Sequence, residues 1–235
     1  MIWGERIKLR RLELGDIEKM ASWKMNEDPL FSDYNFPLFT PAEQKLWFGR
    51  KNQHGKRCYC ILNRENRIIG YIALRKLNYL DKSGEIGIVM DPAYHNMGFG
   101  TEAISVFLKW YFTEFRFSRL NLIVASYNKR AIRCYEKIGF RVTKTYYGKF
   151  YNDEFDPFDG KSEELEKYFI STPYGTQTEY MKMSIKKDEF IKDTSYSPSE
   201  EITTLKRDVA AVLPWYKLYA RSITQKICIK ELDQL

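Results

Sequence analysis

Histidine and cysteine are scarce in this sequence, and their scarcity excludes several chemistries. Only two histidines are present, His54 and His95, with four cysteines at positions 58, 60, 134 and 228. No spacing among them forms a C-x-x-C pair or a pair of zinc knuckles, so neither a dithiol redox site nor a structural or catalytic metal is expected. Cys58 and Cys60 stand two apart in an apolar run and are expected as small core residues on one strand face. No apolar run approaches the ~18 residues of a membrane span. The first ten residues, MIWGERIKLR, pass straight into polar alternation without a secretory apolar region. Together these absences predict a cytoplasmic protein with no membrane partner.

What is present fits a folded chain. Apolar residues make up 44% and charged residues 29% of 235, enough to bury one sizeable core with an appendage. The formal net charge is +7, which suits nucleic acid, an anionic surface or a phosphate-bearing ligand without choosing among them. The charge is uneven. Residues 148–177 carry Asp153, Glu154, Asp156, Asp159, Glu163, Glu164 and Glu166 against Lys149, Lys161 and Lys167.

Periodicity orders the elements. Residues 7–12 alternate as a half-buried strand, and Asp16 is placed to cap a helix running to about Met25 with Ile17, Met20 and Trp23 inward. Residues 26–39 read as an aromatic loop holding Phe31, Tyr34, Phe36 and Phe39 between Pro29 and Pro37. Thr40, Pro41 and Glu43 then start a second helix expected to reach about Lys51. The runs CYCILN, RIIGYIAL and EIGIVM, ending at Met90, predict a three-stranded antiparallel meander. After the loop DPAYHNMGFG, residues 101–115 show helical apolar spacing, followed by a strand at 120–125. Asn128 caps a further helix that Gly139 ends in a left-handed turn. FRVTKTYY and TEYMKMSI are the last two strands, across a gap unusually long for a hairpin. In the tail, Ser197, Pro198 and Glu200 form a capping-box start, and Pro214 breaks the helix before Trp215, Leu218 and Tyr219.

The chemistry concentrates at His95, Asn96, Met97, Gly98, Phe99, Gly100 and Thr101, between a strand and an apolar helix. Glycines there let the backbone approach a phosphate, and a helix N-terminus offers unpaired N–H groups and a favourable dipole. Gly98, Gly100 and Ala103 also satisfy a dinucleotide fingerprint. That reading is opposed by the preceding hairpins and by the lack of an acid after the next strand, LNLIVASYN. A triphosphate-binding loop lacks its lysine followed by serine or threonine.

About thirty residues on comes Asn128-x-x-Ala131-x-x-x-Tyr135-x-Lys137-x-Gly139-Phe140. The two motifs, in this order and in these contexts, resemble the GNAT superfamily of N-acetyltransferases. GEIGIVM followed by GFGTEA resembles the branch that includes ribosomal-protein N-terminal and polyamine acetyltransferases. The resemblance covers about residues 5–187 and implies an α+β (α/β) fold. Its central sheet is mixed and mostly antiparallel, of about six to seven strands, with helices on both faces. It divides the chain into an acetyltransferase domain at 1–187, with an acidic insertion at about 148–177, and a helical extension at 188–235.

The resemblance further implies direct acetyl transfer from acetyl-CoA to a primary amine. The strand at 85–90 would splay from that at 120–125 to admit the pantetheine arm, which binds backbone groups at Ile88, Val89 and Met90. Residues 95–101 would hold the pyrophosphate, His95 departing from the commoner glutamine or arginine. Asn128, Ala131 and Arg133 would bind the cofactor, with Lys129 a further candidate for its phosphates. Tyr135 would protonate the departing thiolate and Glu85 would assist amine deprotonation. Phe31, Tyr34 and Phe36, with the acidic insertion, suggest a cationic acceptor: a polyamine, a protein N-terminus or an aminoglycoside. Alternatives are an amino-sugar acetyltransferase and a non-catalytic acyl-CoA sensor. Nucleic acid is not the expected partner. The apolar tail helices are expected to pack on the domain or to form a homodimer.

Overall fold

The structure is a computed structural model that describes residues 1–160 and 162–193. The expected tail helices from Ser197 onward, and with them the homodimer through the tail, lie outside the described residues.

The chain opens with strands β1 (Ile2–Trp3) and β2 (Ile7–Arg11), helix α1 (Asp16–Met20) and a 3-10 turn at Pro29–Tyr34. Helix α2 (Pro41–Asn52) leads into the meander of β3 (Arg57–Asn63), β4 (Ile68–Asn78) and β5 (Ser83–Met90). Next come α3 (Phe99–Thr113), β6 (Arg119–Ala125), α4 (Lys129–Ile138) and β7 (Arg141–Lys149). The described part closes with α5 (Glu163–Glu166), β8 (Phe169–Thr172), β9 (Gly175–Lys186) and α6 (Lys187–Asp193).

The strands form one sheet in the order β1-β2-β3-β4-β5-β6-β9-β7, with β8 paired to β9. All pairings are antiparallel except that of β5 with β6, which is parallel. This is the expected mixed sheet with two strands added. Strand β1 has two residues and is too short to show alternation. The strand β8 fills the long gap before β9 by forming a hairpin with it, turning at Gly175 with φ +103. Strand β9 enters between β6 and β7 and bonds to both.

Alternation divides the meander between two cores. Ile72, Leu74 and Ile86 pack with Phe107, Leu108 and Tyr111 of α3 and with Ile132 and Ile138 of α4. On the other face Cys58, Cys60 and Tyr71 pack with Ile17, Met20, Trp23 and Phe36. Both cysteines are free thiols in that core.

Local sequence explains most ends. Thr40 and Glu43 cap α2 reciprocally: the Thr40 N–H donates to Glu43 Oε2 at 2.8 Å and the Glu43 N–H to Thr40 Oγ1 at 3.4 Å. Asn128 Oδ1 accepts from the Ala131 N–H at 3.1 Å, and Gly139 ends α4 at φ +107.

The first helix differs from expectation. It stops at Met20, its N-cap is Gly15, and Asp16 does not cap it. The Asp16 carboxylate instead accepts from Nη1 and Nη2 of Arg10, at 2.6 and 2.7 Å, and from the Glu13 N–H at 2.8 Å. Beyond Met20 the chain turns inward so that Trp23 Nε1 can donate to the Ile68 carbonyl at 2.9 Å. Among the described residues no helix is long and apolar enough to cross a membrane, and no group of His, Cys, Asp and Glu is arranged to hold a metal.

Candidate active site

Strands β5 and β6 pair only from Ser83–Arg119 to Ile86–Leu122. Beyond that point each follows its other neighbour: Met90 stays opposite Gly70 of β4, while Ala125 stays opposite Tyr180 of β9. The two strands therefore diverge towards their C-terminal ends, leaving a wedge between them. It widens into a cleft of about 530 Å³ lined by Ile88, Val89 and Met90 on one wall and Ile123 and Val124 on the other.

The loop at the mouth is held by a small set of contacts. Asp91 accepts from the Ala93 N–H at 2.9 Å and opens a short 3-10 turn at Pro92–Tyr94. Asn96 and Gly98 both take positive φ, +60 and +81, and α3 starts at Phe99 with no side-chain cap. The first helical bond is Glu102 N–H to Gly98 carbonyl at 3.0 Å. The N–H groups of Phe99, Gly100 and Thr101 thus have no helical acceptor, which is the arrangement that receives an anion. The two glycines differ. A Cβ at Gly98 would need its positive φ and would meet the Arg6 guanidinium at 3.2 Å, whereas one at Gly100 would meet only Met90 Cγ at 3.8 Å.

Arg6 ties this loop to the sheet, a contact that sequence reading missed because the partners are far apart in the chain. Its Nε lies 2.8 Å from Glu102 Oε2, its backbone N–H donates to Glu102 Oε1 at 2.7 Å, and its side chain donates to the Met97 carbonyl at 3.1 Å. The guanidinium also covers the Phe99 ring at 4.7 Å.

The fourth helix supplies the facing wall. Arg130, Arg133 and Lys137 line the cleft together with Asn128, Ala131 and Tyr135. Arg133 was expected there; Arg130 and Lys137 were not, although spacings of three and four residues put all three on one helical face. Arg130 stands 2.8 Å from His95 Nδ1. Burial, and then the charge of Arg130, lower the His95 pKa, so its imidazole is neutral and accepts from the guanidinium. Lys129 points elsewhere, over the Tyr168 ring at 4.4 Å.

Tyr135 is buried, with its ring edge-on to Phe140 and its surface on the cleft. Burial pushes its phenol well above the ordinary value, so it stays protonated and keeps a proton to donate. Tyr34 also lines the cleft, with burial raising its phenol against hydrogen bonds to Asn128 and Tyr127.

Other expected positions fall outside the cleft lining. Met97 is exposed, and Phe99 packs edge-on to Tyr94. Phe36 is a core residue among Trp23, Trp47 and Tyr71, and Phe31 packs against Tyr127. Glu85 is buried; its oxygens are taken by Arg75 Nε at 2.8 Å and Lys76 Nζ at 3.3 Å. His95, Asn96, Gly98, Gly100 and Thr101 line the cleft. Among the described residues the lining carries Lys51, Arg75, Arg130, Arg133 and Lys137 and no aspartate or glutamate.

A family model described as Acetyltransferase (GNAT) domain matches residues 6–141. Spermidine N(1)-acetyltransferase of Vibrio cholerae is 25% identical over 138 residues, 58% of this chain and 80% of that protein. The uncharacterized N-acetyltransferase YnaD of Bacillus subtilis is 30% identical over 143 residues, 60% of this chain and 82% of that protein. A crystal structure of spermidine N-acetyltransferase from Vibrio cholerae in complex with CoA and spermine superposes with a TM-score of 0.61. It covers 79% of this chain and 98% of that one, at 20% identity, a likeness of fold.

Proposed function

The chain belongs to the GNAT acetyltransferase family, and from that premise we propose that it moves the acetyl group of acetyl-CoA directly to a primary amine, with Tyr135 as general acid. One observation carries the reading: the wedge between β5 and β6 opens onto an uncapped helix N-terminus and cationic side chains, with Tyr135 beside it. A diphosphate at the loop meets the N–H groups of Phe99, Gly100 and Thr101, flanked by Arg133 and Lys137. The extended arm then follows the free edges of Ile88 to Met90, as a narrow, apolar chain with amides requires.

In this reading the neutral amine attacks the thioester carbonyl, and backbone N–H groups along Ile88–Met90 stabilise the oxyanion. The C–S bond breaks as the Tyr135 phenol gives its proton to the sulfur, the ammonium proton leaves to water, and the tyrosinate takes a proton back from solvent. Glu85, expected as the base, fits better as a positioning residue, since both its oxygens are committed to cations. It holds Arg75 across the β4–β5 ladder. A cationic acceptor has its own support in the spermidine N(1)-acetyltransferases among the relatives. Asp33 adds to it: partial burial, and then the charges of Asp153 and Glu154, raise its pKa, placing these acids together beside the aromatic loop.

The test is Tyr135→Phe, which keeps the ring and removes the proton. A turnover reduced by about 10²-fold is expected, with acetyl-CoA affinity retained. Unchanged turnover would remove Tyr135 from the mechanism.

A further inference from the structure

The cations of the cleft do not all stand where coenzyme A brings its phosphates. Arg130, Arg133 and Lys137 belong to α4, beside the glycine loop. Arg75 lies opposite Glu85, five residues along the ladder from the Gly70–Met90 pair that precedes the loop. At about 3.3 Å per residue that is roughly 17 Å from the loop end of the strand.

Along β4, Tyr71, Ala73 and Arg75 share the face that turns towards α2, and all three line the cleft. Helix α2 sets Lys51 over this face. Its Nζ lies 5.1 Å from the Trp47 ring centroid and 5.6 Å from that of Tyr71. Among the described residues no carboxylate forms an ion pair with it. Burial lowers its pKa, and the charges of Arg75, Lys56 and Arg50 act in the same direction. Glu85 answers Arg75 and Lys76 with one negative charge against two positive. The α2 face of the cleft therefore keeps a surplus of positive charge in a partly desolvated place, where an unpaired charge is costly and an anionic ligand is bound strongly.

We propose that this face seats an anionic group of the acceptor: the amine that receives the acetyl group carries, elsewhere in the same molecule, a carboxylate or phosphate held by Lys51 and Arg75. The inference rests on the acetyl transfer proposed above. It narrows the cationic acceptor to an amine that also bears an anion, such as an amino acid or an amino-sugar phosphate, in place of the polyamine that the relatives' names suggest. Of the acids of the 148–177 segment, Asp153 and Asp156 line a separate depression with Phe150 and Phe155, and the charges of Asp153 and Glu154 act on Asp33 beside the aromatic loop, which suits the amine end of the same molecule and not its anionic group.

The experiment uses the full chain saturated with coenzyme A, so that its own phosphate seat is filled. Inorganic phosphate or acetate is then titrated at constant ionic strength against chloride, and the melting temperature is read. We expect a further upward shift with one of the two anions, which tells phosphate from carboxylate. Lys51→Gln should weaken that anion at least tenfold while the shift given by coenzyme A persists. No shift beyond chloride with either anion, or an unchanged affinity in Lys51→Gln, overturns the proposal. Failure of coenzyme A itself to stabilise the protein overturns acetyl transfer instead. Paired acceptors give a readout that needs no variant: thiol release with glucosamine against glucosamine 6-phosphate, and with tyramine against tyrosine. A tenfold higher kcat/KM for an anionic partner supports the seat. A clear preference for spermidine over all four refutes it.

Discussion

Replacing Gly98 and Gly100 by alanine, one at a time, separates what the backbone needs from what the ligand needs. Gly98 sits at φ +81, where an L side chain costs about 1–2 kcal/mol, and its new methyl would press on Arg6 at 3.2 Å. Arg6 is the flexible end of a side chain and can yield, so the backbone sets the penalty. For a chain of this size about 1 kcal/mol moves the melting temperature by roughly 2–4 °C, giving a fall of roughly 2–8 °C. Gly100 is the second residue of α3 with only Met90 at 3.8 Å, so alanine there gains helix propensity of about 0.5 kcal/mol, a rise of roughly 1–2 °C. Binding should follow the same order. Gly98 aims the three free N–H groups, and its loss should weaken coenzyme A about tenfold, or ~1.4 kcal/mol; Gly100→Ala should stay within about threefold. Differential scanning fluorimetry with and without coenzyme A measures both quantities. If Gly98→Ala keeps wild-type affinity, or Gly100→Ala melts as low as Gly98→Ala, the assignment of the loop as a phosphate seat built on the left-handed turn is wrong.

Two further outcomes follow from buried groups. Burial alone would raise the Asp16 carboxyl, but hydrogen bonds from Arg10, the Glu13 N–H and Cys60 outweigh it and hold it below its ordinary 3.8. A depressed carboxylate stabilises above the unfolded-state value and loses that contribution as pH falls through the folded one, so the Asp16 contribution should decline progressively below about pH 4. Asp16→Asn should cost about 3 kcal/mol at pH 7, lowering the melting temperature by roughly 6–12 °C, and the gap to wild type should narrow in acid. A gap constant from pH 7 to pH 3 would exclude the ion pair as the cause. Burial pushes the Cys58 thiol up to about 12. Iodoacetamide at pH 8 should therefore leave Cys58 unmodified in the native protein and label it after denaturation, as peptide mapping would show; rapid native labelling would contradict its place in the core.

Much of this was legible because it is local. The Thr40 capping box, the Asn128 cap and the Gly139 turn are each written within a few residues, and the meander in its alternation. The cleft loop was legible as a phosphate site, but not the unequal parts of its two glycines, which depend on φ. What escaped reading is non-local. Asp16 has the sequence of a cap, yet Arg10 claims it from the neighbouring strand. Phe36 and Phe31 look like a binding wall, yet one fills the gap under Trp47 and the other packs on Tyr127. Lys51 and Arg75 are unremarkable charges in the sequence, and only the packing of α2 on β4 brings them to one cleft.

The position of β9 governs when the site can exist. Strand β6 leaves the ribosome with one flank ready in β5, but its other flank is not synthesised until Gly175–Lys186. At about 5–20 residues per second, that leaves roughly 3–12 seconds in which one edge of β6 is unpaired. During this interval the N-terminal meander can already be formed by local pairings, while the second wall of the cleft lacks its support. Coenzyme A therefore cannot act as a template for the early stages of folding. It can secure the chain only after the last strand is threaded, and until then the unpaired edge of β6 is open to pairing with other chains.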